Sequence, residues 1–233
     1  MPPFNAKIPS HEGKSFGAYY AKAPSASAST LILIQEIFGV NAGMRKMVDD
    51  WAKQGYHAIC PDLFWRQQEG VELTDQSDAE WAQAMEFFKG FDVELGVRDL
   101  ISTLKYARAL PHSNKKAGTM GFCLGGKLAF LIAEETDADC NICFYGVGLD
   151  QHLEDVPNIK KPLLMHIAEN DDYMPAEAQD KVRAAVRKNK MVNCYVYPGA
   201  GHAFAREGGK HYDYGSAKLA LTRSRDFMAL HLR

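Results

Sequence analysis

The chain has 233 residues, 46% of them hydrophobic and 24% charged, with a formal net charge of -2. Those proportions exclude a disordered chain and allow a large core, and the near-neutral balance excludes a basic field that would condense on nucleic acid or anionic lipid. The start, Met1-Pro2-Pro3-Phe4-Asn5-Ala6-Lys7, shows no apolar leader core, and no apolar run approaches the length that spans a bilayer, so a cytoplasmic location is expected.

Phe4 to Ile8 and Phe16 to Lys22 flank the turn-like His11-Glu12-Gly13, which predicts an opening antiparallel hairpin. Leu31-Ile32-Leu33-Ile34 is a continuous aliphatic run of the kind that fills a sheet covered on both faces, and a helical pattern follows from about Ala42 to Gln54. Further strands are predicted at His57 to Cys60, Lys116 to Phe122, Cys140 to Tyr145, Pro162 to Ile167 and Val192 to Tyr197. Helical patterns lie near Asp78 to Lys89, Val93 to Ala109, Leu124 to Glu134, Ala176 to Lys188 and Ser216 to His231. This alternation predicts an α/β fold, a mostly parallel central β-sheet flanked by helices on both faces, as a single domain over residues 1–233. Such sheets take ligands at the C-terminal ends of their strands. The least regular segment, Leu63 to Ser77, follows Cys60-Pro61-Asp62 and is a candidate wall or lid.

The five cysteines, Cys60, Cys123, Cys140, Cys143 and Cys194, are odd in number and sit mostly in apolar runs, as reduced thiols in a reducing compartment would. Cys140-Asn141-Ile142-Cys143 has the spelling of a redox or zinc half-site, but it lies in a predicted strand without a second ligand pair and reads as core packing. Cys123 is different. Gly121-Phe122-Cys123-Leu124-Gly125-Gly126 follows a strand and opens a helix, the nucleophile-elbow pattern G-x-S-x-G with cysteine in place of serine. Gly121 and Gly125 remove side chains where strand and helix cross, and the helix N-terminus favours a thiolate and a developing oxyanion. Taken alone, the motif also fits a buried structural cysteine in a glycine-rich turn.

A thiol nucleophile needs a base, and the base needs an orienting acid. Leu163-Leu164-Met165-His166-Ile167 runs into Ala168-Glu169-Asn170-Asp171-Asp172-Tyr173-Met174-Pro175, which offers an acid at a strand end. Val196-Tyr197-Pro198-Gly199-Ala200-Gly201-His202-Ala203-Phe204 then closes the last strand with a histidine, giving the order nucleophile, acid, histidine. Adjacent Asp171 and Asp172 diverge, so one of them faces His202; motif register favours Asp171. His166 lies within a strand and reads as packed, as do His57, His112 and His211. No His-x-x-x-His spacing is present, and neither a metal nor another cofactor is expected.

Gln35-Glu36-Ile37-Phe38-Gly39-Val40-Asn41, Cys60-Pro61-Asp62-Leu63, the elbow, Tyr145-Gly146-Val147-Gly148 and Ala200-Gly201-His202-Ala203-Phe204-Ala205-Arg206 together resemble the dienelactone hydrolase family across nearly the whole chain. The resemblance implies an α/β-hydrolase fold. It also implies hydrolysis of dienelactone, a 4-carboxymethylenebutenolide, to maleylacetate in the breakdown of (chloro)aromatics. By the same resemblance Cys123 attacks the lactone carbonyl and His202, oriented by Asp171, handles protons. The N–H groups of Ile37 and Leu124 form the oxyanion hole, and Arg206 pairs with the substrate carboxylate. Tyr145 and Trp81 are placed with Arg206 among the substrate-binding residues. Glu36 follows an apolar strand and must hydrogen-bond something. Its partner is either a structural amide or Arg206, or, as the resemblance suggests, the Cys123 thiol, whose proton it takes when substrate binds.

Trp81, in Asp78-Ala79-Glu80-Trp81-Ala82-Gln83-Ala84-Met85, stands where the family's characteristic enzymes carry a second arginine. Either Arg206 works alone, Arg45 or Arg66 substitutes, or the substrate is bulkier and less acidic. The expected partner is a small carboxylated lactone or ester bound by a monomer, with neither nucleic acid nor membrane involved. A broader carboxylesterase or thioesterase with the same triad, and a catalytically idle domain that binds a small ligand, are the competing readings.

Overall fold

The chain opens with β1 (Ala6–Pro9) and β2 (Ser15–Ala21), an antiparallel hairpin with Ala6 opposite Ala18 and Pro9 opposite Ser15. The computed structural model describes residues 3–232; Met1, Pro2 and Arg233, which bound the single-domain reading and begin the N-terminal one, lie outside the described residues. The described residues divide into two units inside β5 (Ser113–Phe122), the first ending at Thr119 and the second running from Met120 to Leu232.

In the first unit the strand order is β1-β2-β4-β3-β5, with β3 at Ala28–Ile34 and β4 at His57–Pro61. The hairpin joins through an antiparallel β2–β4 ladder, whereas β3 and β4 run parallel. Every residue of β3 and β4 is buried. Because successive side chains point to opposite faces, this requires cover on both sides of the sheet. Helices α1 (Ala42–Lys53) and α3 (Val93–Ala109) contact these strands. Asn41, Ser77 and Asp92 start α1, α2 (Asp78–Lys89) and α3 by accepting from the backbone N–H groups of Met44, Glu80 and Leu95. Each cap satisfies one orphan donor of the first helical turn.

The segment after β4 is firmly tied within this unit. The Asp62 carboxyl accepts from the N–H groups of Phe64 at 3.1 Å and Gly70 at 2.8 Å, and Gln35 Oε1 accepts from Leu63 N–H. Burial pushes the Asp62 pKa up to about 6 against the pull of those two N–H donors. Leu73 N–H donates to Phe38 O, Asn41 Nδ2 donates to Leu73 O, and the buried Asp99 accepts from Arg66 and Trp65. These ties favour a wall over a lid.

The second unit takes up β5 at Met120 and has the order β5-β6-β7-β8, with β6 at Asn141–Phe144, β7 at Leu163–Asn170 and β8 at Val192–Gly201. The β6–β7 and β7–β8 ladders are parallel. Helix α4 (Leu124–Glu135) packs on β6, α5 (Ala176–Val186) on β7 and β8, and α6 (Tyr214–His231) on β7. Two short 3-10 turns, Leu149–Gln151 and Leu153–Asn158, were not expected from periodicity. The predicted α/β architecture with a mostly parallel sheet is thus found, and β7 and β8 run beyond their predicted ends. Among the described residues no helix is long and apolar enough to cross a membrane.

Candidate active site

Cys123 occupies the single residue between β5 and α4, at φ 56° and ψ -115°. A non-glycine residue there costs roughly 1–3 kcal/mol and persists only when its surroundings enforce it. Cys123 N–H donates to Phe144 O at 3.1 Å, and its carbonyl accepts from Lys127 N–H at 3.0 Å, so strand β6 and the first turn of α4 hold it from two sides. A Cβ on Gly121 would lie 1.8 Å from Gly125 O, and one on Gly126 would lie 2.4 Å from Phe144 O. Both glycines are therefore required by close backbone approach. Gly126, whose part the motif does not single out, lets α4 sit against β6.

The remaining cysteines serve as core atoms. Burial pushes the thiols of Cys140 and Cys143 up to about 12 and that of Cys194 to about 11, and raises Cys60 further still. They remain protonated at neutral pH and cannot act as nucleophiles.

The β7–β8 ladder brings Asp171 and His202 together. Its pairing continues to Asn170 opposite Gly201, the residues directly before Asp171 and His202, after an irregularity between Ala168 and Asn170. Extra residues on one strand of a ladder bend that strand and re-aim the side chains beyond the bend; on β8 the first of these is His202. Its Nδ1 lies 2.9 Å and 3.0 Å from the two Asp171 carboxylate oxygens, and the Asp171 side chain has no exposed surface. Tyr173 N–H donates to Asp171 Oδ1 at 2.9 Å, fixing the carboxylate, while neighbouring Asp172 faces solvent. With Nδ1–H given to Asp171, the opposite nitrogen is the one left for the Cys123 thiol, with which His202 shares a side-chain hydrogen bond.

Burial alone would push the His202 pKa down. The Cys123 charge and the hydrogen bonds to Asp171 and Cys123 outweigh it and raise the imidazole to about 10. The arrangement therefore favours the imidazolium form of His202. Because the folded value lies above the ~6.5 of an unfolded chain, this pairing contributes stability fully below that pH. The contribution is lost as the pH rises through about 10. The expected kcat/KM profile for a neutral ester accordingly keeps its alkaline limb near 10. A limb near pH 7 would show that His202 lacks this ionic partner.

Around these three residues the second unit places Leu124 at the first position of α4, with its N–H at the helix start beside Cys123. Tyr145 has no exposed surface; its ring meets His202 edge-on at 5.3 Å, so it supports the base from within. Tyr173, absent from the motif reading, is 45% exposed and lies edge-on to His202 at 4.7 Å. Its phenol is raised by burial and then by the charges of Cys123, Asp172 and Asp171, while Arg206 opposes them. Arg206 is thereby within electrostatic reach of the same rim.

The first unit holds the other expected residues. Glu36 and Ile37 are buried just after β3, and the Trp81 ring leans on Phe38 at 5.8 Å. Trp81 thus belongs with the Glu36-Ile37-Phe38 loop. Arg45 bridges to Glu72 at 2.7 Å and donates to Val40 O, and Arg66 pairs with Asp99 and Glu12. Both cations already have carboxylates, so neither stands ready as a second substrate-binding arginine.

The model of the dienelactone hydrolase family matches residues 16–232, a stretch that includes the elbow, the acid and the histidine. The chain belongs to the dienelactone hydrolase family. It is a carboxylic ester hydrolase. Carboxymethylenebutenolidase of Pseudomonas putida is 41% identical over 95% of this chain and 94% of its own length. A sequence from Azospirillum brasilense that bears the same name provisionally is 45% identical, covering 97% of each chain. Among solved structures, a provisional dienelactone hydrolase from Klebsiella pneumoniae superposes with a TM-score of 0.84 at 26% identity, covering 96% of each chain. Membership of this family accounts for the elbow, the mostly parallel sheet and the order of the three site residues.

Proposed function

We propose that the protein opens the enol-lactone ring of a carboxylated butenolide, dienelactone to maleylacetate, with Cys123 as nucleophile. The observation that carries this reading is the Cys123–His202–Asp171 constellation at the end of the β7–β8 ladder. Cys123 Sγ adds to the lactone carbonyl, with the N–H groups of Ile37 and Leu124 as donors to the oxyanion. The ring C–O bond then breaks, the enolate leaves with a proton from His202, and the acyl group stays on sulfur as a thioester. His202 next takes a proton from water, hydroxide adds to the thioester, and cleavage of the C–S bond restores the thiolate. Enolate departs readily where an amine would not, so peptide amides are poor substrates.

In this scheme Arg206 pairs with the substrate carboxylate, Trp81 is a further substrate-binding residue, and Tyr145 backs His202. Glu36 accepts the thiol proton when substrate binds. The whole chain acts as one catalytic domain and as a monomer, on a small molecule rather than on nucleic acid or membrane. Its setting is the reducing cytoplasm, a reading supported by five free cysteines, and its role lies in the breakdown of aromatic compounds.

A second reading, a broader carboxylesterase or thioesterase with the same triad, is favoured by Trp81 and by the prior engagement of Arg45 and Arg66. Kinetics on cis- and trans-dienelactone against uncharged enol esters separate the two. Arg206→Ala is expected to lower kcat/KM for the lactones by about 10- to 100-fold, the loss of a charge-assisted pair. Turnover of uncharged esters should stay within about twofold. A parent enzyme with no preference for the carboxylated lactones moves the assignment to the broader esterase, and unchanged turnover in Glu36→Ala removes Glu36 from the scheme.

A further inference from the structure

Beneath the acid and the base lies a buried polar chain that the proposed mechanism does not use. His166, on β7, has no exposed surface. Its Nδ1 is 2.8 Å from Tyr197 Oη and its Nε2 is 3.0 Å from Ser224 Oγ. Arg223 Nη1 lies 3.1 Å from the same Tyr197 oxygen, and Ser224 Oγ donates to Ala220 O at 2.9 Å.

The chemistry of the two ends sets the direction of every bond. A guanidinium can only donate, so the Tyr197 oxygen accepts from Arg223 and turns its own proton to His166 Nδ1. Burial, aided by the Arg223 charge, pushes the His166 pKa down to about 3, so the ring is neutral. With Nδ1 accepting, the proton sits on Nε2 and is donated to Ser224, whose hydroxyl proton goes on to Ala220 O. The charged and titratable groups facing the ring are Arg223 from α6 and Tyr197 from β8.

This chain joins β7, β8 and α6 in the unit that carries His202. The His166 carbonyl accepts from Tyr145 N–H at 2.8 Å, and the Tyr145 ring supports His202. Phe144 covers the His166 ring at 4.3 Å, and Phe204, two residues after His202, rests on Tyr197 at 4.9 Å and on Tyr145 at 5.3 Å. Between His202 and Phe204, Ala203 is held at φ 63°. A non-glycine residue keeps such a conformation only where its surroundings over-determine it.

We infer that Arg223, Tyr197, His166 and Ser224 form a positioning unit that sets the place of the His202 ring between Asp171 and Cys123. The inference rests on the proposed triad. The unit touches no reacting atom. It acts through Tyr145, whose ring meets His202, and through Phe204, two residues further along the His202 loop.

Tyr197→Phe keeps the ring and removes the phenol proton from His166. The expected result is a kcat about tenfold lower, with KM for a neutral enol ester within about twofold. The alkaline limb of the pH profile moves away from its value near 10. Val182→Ala, in the core of the same unit, is the control: it should lower thermal stability while leaving kcat and the limb in place. If Tyr197→Phe behaves like that control, the chain is structural only and the inference is overturned. Should Tyr197→Phe not fold, Arg223→Met at a half-exposed helix position removes the first donor of the chain. The same displacement of the limb is expected there, and an unmoved limb overturns the inference. Nitrogen-15 spectra of histidine-labelled protein should show His166 neutral, protonated on Nε2, from pH 5 to 9; an Nδ1 proton or a titration in that range overturns the assignment. Cys123→Ala separates the two levels. Full turnover in that variant would overturn the triad and the inference together, whereas lost turnover beside a normal Tyr197→Phe overturns the inference alone.

Discussion

Cys123→Ala is expected to lower kcat by about 10⁴-fold or more while the protein remains folded. Alanine keeps the Cβ that the elbow already accommodates at φ 56°, and the backbone bonds to Phe144 and Lys127 do not involve the sulfur. The loss is therefore chemical: no thioester can form, and only the oxyanion donors and substrate binding remain. Rapid-quench mass spectrometry should find an acyl adduct on the parent chain and none on the variant. Turnover within about tenfold of the parent would remove Cys123 from the mechanism, since acid–base groups acting on water contribute far less than the intact triad. The four other thiols offer no substitute, because burial raises the pKa of each and holds it protonated.

The second large effect is expected for Asp171→Asn, a fall in kcat of about 10³- to 10⁴-fold with stability changed much less. The amide oxygen can keep the bond from Tyr173 N–H, which leaves the amide NH₂ facing His202 Nδ1. Nδ1 must then accept, so the ring proton moves to the nitrogen facing Cys123, and the base can no longer take a proton from that side. Nitrogen-15 spectra of the variant should show the exchanged tautomer. Removing the carboxylate also withdraws one of the interactions that raise His202, so the alkaline limb should fall below 10. Asp172→Asn, at the solvent-facing neighbour, should leave kcat within about twofold. The reverse pattern, with Asp172 essential and Asp171 dispensable, would overturn the geometric assignment.

The two substitutions differ in how far their rationale is legible in the sequence. Cys123 announces itself locally, since the glycines that the tight crossing requires lie within three residues of it. The choice between Asp171 and Asp172 has only motif register behind it in the sequence. It becomes physical in the ladder, where Asn170 opposite Gly201 brings together side chains 31 positions apart. Helices α2 and α3 match their predicted ends because their N-terminal caps, Ser77 and Asp92, are visible in the sequence. Strands β7 and β8 overrun theirs because Glu169, Asn170, Gly199 and Gly201 have no hydrophobic alternation, yet both strands continue through them and the ladder pairs Asn170 with Gly201. His166 reads as a packed histidine, and it is packed. Its two nitrogens are also both engaged, by partners 31 and 58 positions away that no spacing rule connects.

The sequence by itself determined the alternation of strand and helix, the elbow at Cys123, the family resemblance and the order of nucleophile, acid and histidine. All of these are written in short windows by side-chain period, caps and glycine placement. Tertiary structure alone decided which aspartate meets His202, that Tyr173 and Tyr145 flank its ring, that Gly126 lets α4 lie against β6, and that Arg45 and Arg66 are already paired. Those outcomes depend on strand register and on close approach between distant segments, and such contacts leave no period along the chain.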